Sequence, residues 1–83
     1  MSRYHFDVRD GNEFTLDDEG LELFSIQTAQ DEAARSIADM ARDSIRKHCD
    51  GFSRDLAVEV RDENGPVLQV KLTFVVDRYR SDA

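Results

Sequence analysis

A chain of 83 residues is expected to form one small domain, and folding at that size hides only roughly 60–65% of the unfolded chain's surface, which leaves little room for an enclosed substrate cavity. With 40% hydrophobic and 35% charged residues, the composition fits a soluble globular fold rather than a disordered chain. The net charge of −7 has the wrong sign for polyanion binding, which needs a basic face to displace counterions, so nucleic acid and anionic membrane are disfavoured as partners.

The opening residues MSRYHFDVRD hold no apolar run of the signal-peptide kind, and nowhere do about 18 apolar residues follow one another, so a cytoplasmic location is expected. Cys49 is the only cysteine, which rules out an internal disulfide and agrees with a reducing compartment. The negative charge is skewed toward the N-terminus: residues 1–24 carry two arginines against seven carboxylates.

From Arg3 to Asp10, Tyr4, Phe6 and Val8 alternate with His5, Asp7 and Arg9, the pattern of a half-buried strand. Alternation resumes after Asp10-Gly11-Asn12 with Phe14 and Leu16. After Asp17-Asp18-Glu19-Gly20 it resumes again with Leu21 and Leu23, so the first third reads as a short meander.

Between Ile26 and His48 the period changes. Ile26, Ala29, Ala33, Ile37, Met40, Ala41 and Ile45 recur at intervals of three and four and form one apolar stripe of a helix. Ser25 is the expected N-cap, with Phe24 placed to pack on Ala29 as a hydrophobic staple, and Thr28 followed by Asp31 offers a competing start. Lys47 and His48 complement the carboxyl end of the helix dipole, and Gly51 can supply the left-handed residue that ends it.

Two strand signals follow, Leu56, Val58 and Val60 in one, and Leu68, Val70, Leu72, Phe74 and Val76 in the other. The second is longer and more apolar, and is expected at the centre of the sheet. The residues after it, 78–83, read as a frayed tail.

VRDGN at residues 8–12 returns as VRDENG at residues 60–65, which raises the question of an internal repeat. A two-residue Asn64-Gly65 turn would set Val58 opposite Lys71 and Val60 opposite Gln69, each apolar residue facing a polar one. A three-residue loop, Glu63-Asn64-Gly65, a type I turn followed by a left-handed glycine and a bulge, instead pairs Val60 with Leu68, Val58 with Val70 and Leu56 with Leu72, so side-chain phase selects the longer loop. The same reasoning around Asp10-Gly11-Asn12 sets Val8 opposite Phe14 and Phe6 opposite Leu16, with Asn12 in the left-handed position. No helix precedes the first copy and none follows the second. Shared turn chemistry, not duplication, explains the echo.

The candidate chemistry is sparse. Asp10, Glu13, Asp17, Asp18 and Glu19 could gather around a divalent cation, but calcium loops space their donors at alternate positions over about twelve residues, and that spacing is missing. A solvated acidic loop is the reading preferred over a metal site. His48 and Cys49 are neighbours on the helix and point about 100° apart, which cannot supply half a zinc site. Nucleophile elbows, phosphate-cradling glycine loops and metal-binding histidine pairs are missing, and no cofactor is implied.

One helix covers one side of a sheet. His5, Asp7, Arg9, Ala57, Glu59, Arg61, Val67, Gln69, Lys71, Thr73 and Val75 are left for the other side. Ala57, Val67, Val75 and Tyr79 interrupt its polarity, enough for a modest contact face or a strand-edge homodimer, against the plainer reading of a solvated face with scattered apolar residues.

The aromatic first strand ending in VRDG, then DDEGLEL, a helix holding DEAARS and the closing LAVEVRDENGPVLQVKLTF together resemble a family of small alphaproteobacterial proteins, common in rhizobia, known only as a domain of unknown function. The likeness runs from about Tyr4 to Phe74, and its most specific parts are the turn segments. In that family ELP followed by Asp or a similar residue usually opens the helix, a place that Phe24-Ser25 takes in this chain. The resemblance implies no activity, cofactor or catalytic residue.

The resulting expectation is an α+β domain of the order ββ(β)αββ, with a mostly antiparallel sheet and one long helix on one face. The expected function is a small cytoplasmic protein-interaction or regulatory module without catalytic activity, acting on an unknown protein partner or as a homodimer. The alternative is a small-ligand or divalent-cation-binding protein using the acidic N-terminal loops.

Overall fold

The computed structural model describes residues 1–47 and 52–80. The readings of His48, Cys49 and Gly51, and of the tail at 81–83, lie outside the described residues. Strands β1 (Ser2–Asp10), β2 (Glu13–Thr15) and β3 (Leu21–Leu23) precede helix α1 (Ile26–Lys47), and β4 (Phe52–Asp62) and β5 (Gly65–Val76) follow it. The expected α+β order is present and every strand pairing is antiparallel. The sheet runs β2-β1-β4-β5, with β3 also pairing with β1.

This order corrects one expectation. β5 is the longest strand but stands at an edge, and β4 lies between β1 and β5. Apolar content does not separate a central strand from an edge strand when both present one face to the same helix.

The β4–β5 pairing follows side-chain phase. Val60 faces Leu68, Val58 faces Val70 and Leu56 faces Leu72. As expected, a left-handed glycine and a bulge achieve this, with Gly65 at φ 115, although the ladder closes on two loop residues rather than three. Asp62 pairs with Gly65 and Arg61 with Pro66 across a tight Glu63-Asn64 turn, and the ladder then skips Val67 between Arg61 and Val60. This bulge, one residue long, restores the phase that the tight turn alone would have inverted.

The β1–β2 turn is a second correction. The observed pairs are Val8 with Thr15, Arg9 with Phe14 and Asp10 with Glu13, so the turn contains Gly11 and Asn12 alone. Gly11 takes the left-handed conformation, with φ 62, in place of Asn12. Phe14 therefore shares a face with Arg9, and the arginine guanidinium lies 5.0 Å from the ring centroid. Leu16 falls beyond the end of β2 and is exposed.

Ser25 begins the helix as expected: its hydroxyl accepts the Thr28 N–H at 3.2 Å and its carbonyl accepts the Ala29 N–H at 3.1 Å. Phe24 is 85% exposed, so the expected staple does not form. Ala29, Ala33 and Ile37 are buried, while both ends of the expected stripe, Ile26 and Ile45, are exposed. Past Ile37, steps of three and four lead to Met40 and then Ser44, and Ser44 is the buried residue of the last turn. The small side chains of Ala29 and Ala33 let the helix lie close over Leu56, Val58 and Val60, the largest fully buried side chains.

The molecule is elongated. Its extents are 52 × 21 × 17 Å and its radius of gyration is 15.1 Å, where a compact chain of this length has about 12 Å. β1 accompanies β4 only from Leu56 to Arg61, so one end of the β4–β5 ribbon runs on beyond it.

Candidate interaction face

The face opposite the helix is built from odd-numbered residues. His5 stands opposite Arg61, Asp7 opposite Glu59, Arg9 opposite Ala57, and Ala57 in turn opposite Lys71. Two different structures occupy the two ends of this face.

At one end the acidic loop 16–20 is tied down. The Asp17 carboxylate accepts the backbone N–H groups of Phe6 at 3.0 Å, Glu19 at 3.1 Å and Gly20 at 3.2 Å. Phe6 lies between the stretches of β1 that pair with β2 and β3, so a side chain fills a ladder position that no backbone carbonyl reaches. The Asp17 N–H donates to Asp7 Oδ1 at 2.9 Å, and the Asp17 carbonyl accepts Arg61 Nη2 at 2.8 Å and lies 3.0 Å from His5 Nδ1. Arg61 Nε also donates to Asp7 Oδ2 at 2.8 Å, which pairs a carboxylate only 3% exposed. Arg3 closes the far side through the Glu19 carbonyl at 2.7 Å and the Glu22 carboxylate at 3.1 Å.

These contacts set two ionisation equilibria. Partial burial pushes the Asp17 carboxyl up, but the N–H groups of Phe6, Gly20 and Glu19, with the charge of His5, outweigh it and hold the group below its ordinary value. The hydrogen bond to Asp7 is the main cause that raises Arg61 above its ordinary value. Both shifts come from the ties that hold the loop.

The five acidic candidates do not converge. Asp10 and Glu13 are cross-strand neighbours beside the Gly11-Asn12 turn, and Asp10 Oδ1 lies 3.5 Å from Arg54 Nε. Asp17 binds at Phe6, four residues back along β1, or about 13 Å away. Asp18 and Glu19 follow Asp17 and are exposed on the loop between β2 and β3. Among the described residues, no group of three or more His, Cys, Asp or Glu side chains is placed to hold a metal ion.

At the other end a shallow depression of about 430 Å³ is lined by Arg9, Gly11, Asp55, Ala57, Lys71 and Thr73. Ala57 forms its floor. It is only 7% exposed although it faces away from the helix, because its two cross-strand partners carry long side chains whose stems flank it. Asp55 accepts the Thr73 hydroxyl at 2.9 Å. A smaller hollow of about 130 Å³ adjoins it beside Phe14, Glu59 and Gln69. Two cations over a small apolar floor can receive a carboxylate or a polar backbone segment.

Of the four apolar residues expected on this face, Ala57 is the floor of the depression and Val75 stands exposed beyond it, opposite Ser53. Tyr79 is 98% exposed past the end of β5. Val67 is the bulge residue and packs against the core cluster, which removes it from the face. The expectation missed Phe14, which the shorter β1–β2 turn brings to this side.

Fold and surface together define a single-helix α+β domain with an open antiparallel sheet face. The chain belongs to the family described as a domain of unknown function, DUF6894, whose family model matches residues 3–73. Comparison with the curated proteins gives no match, and neither does comparison with the solved structures. Among the described residues, no helix is long and apolar enough to cross a membrane.

Proposed function

We propose that the chain is a small non-catalytic protein-interaction or regulatory module of the cytoplasm whose working surface is the open sheet face. The observation that carries this reading is the division of that face: the carboxylate, N–H and carbonyl of Asp17 in the acidic loop are taken by internal bonds, whereas Arg9, over the Phe14 ring, and Lys71 are exposed on either side of Ala57. The partner that suits this surface is a protein segment that offers a carboxylate to the two cations and an apolar group to Phe14 or Val75. A chain of net charge −7 that keeps two cations together over one floor has a local sign opposite to its overall one, which favours a specific contact over a general electrostatic one.

Affinity capture from the native host, with the unaltered chain beside an Arg9→Glu, Lys71→Glu variant, tests the proposal. A partner retained by the first and lost by the second supports it. A partner retained equally by both contradicts the choice of surface, and no partner at all leaves the module reading without support.

A further inference from the structure

We propose that β5 is the interface of a homodimer, two copies pairing antiparallel along their β5 edges about a two-fold axis at Leu72. The surface concerned is the sheet edge, not the open face, so the inference stands or falls independently of the proposed function.

The two outer strands of the sheet are managed differently. The β2–β3 side, residues 13–22, carries Glu13, Asp17, Asp18, Glu19 and Glu22 and no cation, which repels another copy of an acidic chain. β5 runs for 12 residues, and among the described residues no strand pairs with its outer side. Its only charge is Lys71. Pro66 and the Val67 bulge, devices that commonly blunt an edge, sit at the turn end and leave 68–76 regular. A long regular edge with a single charge exposes backbone groups that a second strand satisfies.

The sequence of β5 also selects a register with itself. Only registers that set even-numbered residues opposite even-numbered ones keep the apolar row together. An axis at Lys71 places two like charges directly opposite one another, which is unfavourable. An axis at Val70 draws Pro66 and the bulge into the ladder. An axis at Leu72 sets Val70 opposite Phe74, Leu68 opposite Val76 and Lys71 opposite Thr73, and leaves the bulge outside. The nine pairs from 68 to 76 supply about eight to ten hydrogen bonds, comparable with the roughly ten of an ordinary protein interface.

Packing points the same way. On the helix side, Leu56, Val58 and Val60 of β4 are buried, but Leu68, Val70, Leu72 and Phe74 of β5 are only half-buried. The two-fold axis places both helices on one side of a continuous sheet, and the two half-covered rows meet between them. An elongated protomer with an under-covered edge becomes half of a broader, better filled layer.

The test combines mass with amide exchange on the full chain. Light scattering from micromolar to millimolar concentration is expected to read twice the 9.5 kDa of one chain. In that state every amide from 68 to 76 is expected to be protected, where a lone edge strand leaves every second one exchanging as fast as an unstructured amide. A particle of single-chain mass at millimolar concentration overturns the inference. So does a dimer whose alternate 68–76 amides remain unprotected, since it must associate through another surface.

Discussion

The carboxylate of Asp17 accepts the amide of Phe6 at 3.0 Å, across eleven residues of sequence and in a gap between two short strands. The same side chain receives Glu19 and Gly20, so one acidic residue orders both the loop and the strand edge it lies against. Removing it in an Asp17→Ala variant leaves three N–H groups without their acceptor and is expected to cost about 2 kcal/mol in urea unfolding. An Asp18→Ala variant, which removes an exposed neighbour, is expected to change stability by less than about 0.5 kcal/mol.

The pH dependence follows from the direction of the Asp17 shift. Its folded pKa is depressed, so its contribution is fully present above the unfolded aspartate value of about 4 and is lost as pH falls through the lower folded value. The stability difference between the unaltered chain and Asp17→Asn is expected to be constant from pH 7 to about pH 5 and to shrink below about 4. A difference that instead grew on acidification would contradict the assignment.

Asp7 and Arg61 are separated by 54 positions and joined at 2.8 Å. Because Asp7 is buried and Arg61 partly exposed, Arg61→Met strands a buried carboxylate and is expected to cost about 3 kcal/mol. Adding Asp7→Asn removes the stranded charge and keeps an acceptor for Asp17. Thermal unfolding should therefore find the double variant more stable than Arg61→Met alone.

Gly20 sits at φ 76, and a Cβ there would lie 2.9 Å from the Tyr4 carbonyl oxygen and 3.0 Å from Arg3 and His5. Gly20→Ala is expected to destabilise by more than about 1 kcal/mol. At Gly11 the nearest heavy atom to such a Cβ is 3.7 Å away, and asparagine tolerates the left-handed region, so Gly11→Asn is expected to be the milder change.

The helix, its Ser25 cap and the β4–β5 pairing were legible because period and phase are local properties that leave one answer. Strand order was not, because Leu68 to Val76 would read the same at a centre or an edge. The first turn misled because Gly11 and Asn12 can each adopt the left-handed conformation, and Phe14 then falls on either face. Asp17 carried a readable signal, an aspartate two and three residues before its own loop donors, but its bond to Phe6 depends on a gap between strands that only the assembled sheet creates. The Asp7–Arg61 pair required knowing that β1 and β4 are neighbours.

The bulge gives a parity test. Deleting Val67 leaves the Glu63-Asn64 turn without its correction and turns Leu68, Val70 and Leu72 away from the helix, so loss of cooperative folding is expected. Val67→Ala keeps the residue count and is expected to cost about 1 kcal/mol.

The claim on which the choice of working surface depends is that the acidic loop is internally committed, and calcium and magnesium titration followed by amide chemical shifts measures it most directly. The amides of residues 10–22 are expected to hold their positions to millimolar metal, apart from small linear drifts shared with the other exposed carboxylates. Saturable shifts centred on Asp17, Glu19 and Gly20 would show that these groups can leave their internal partners for a cation, and would make the acidic loop, rather than the open face, the working surface.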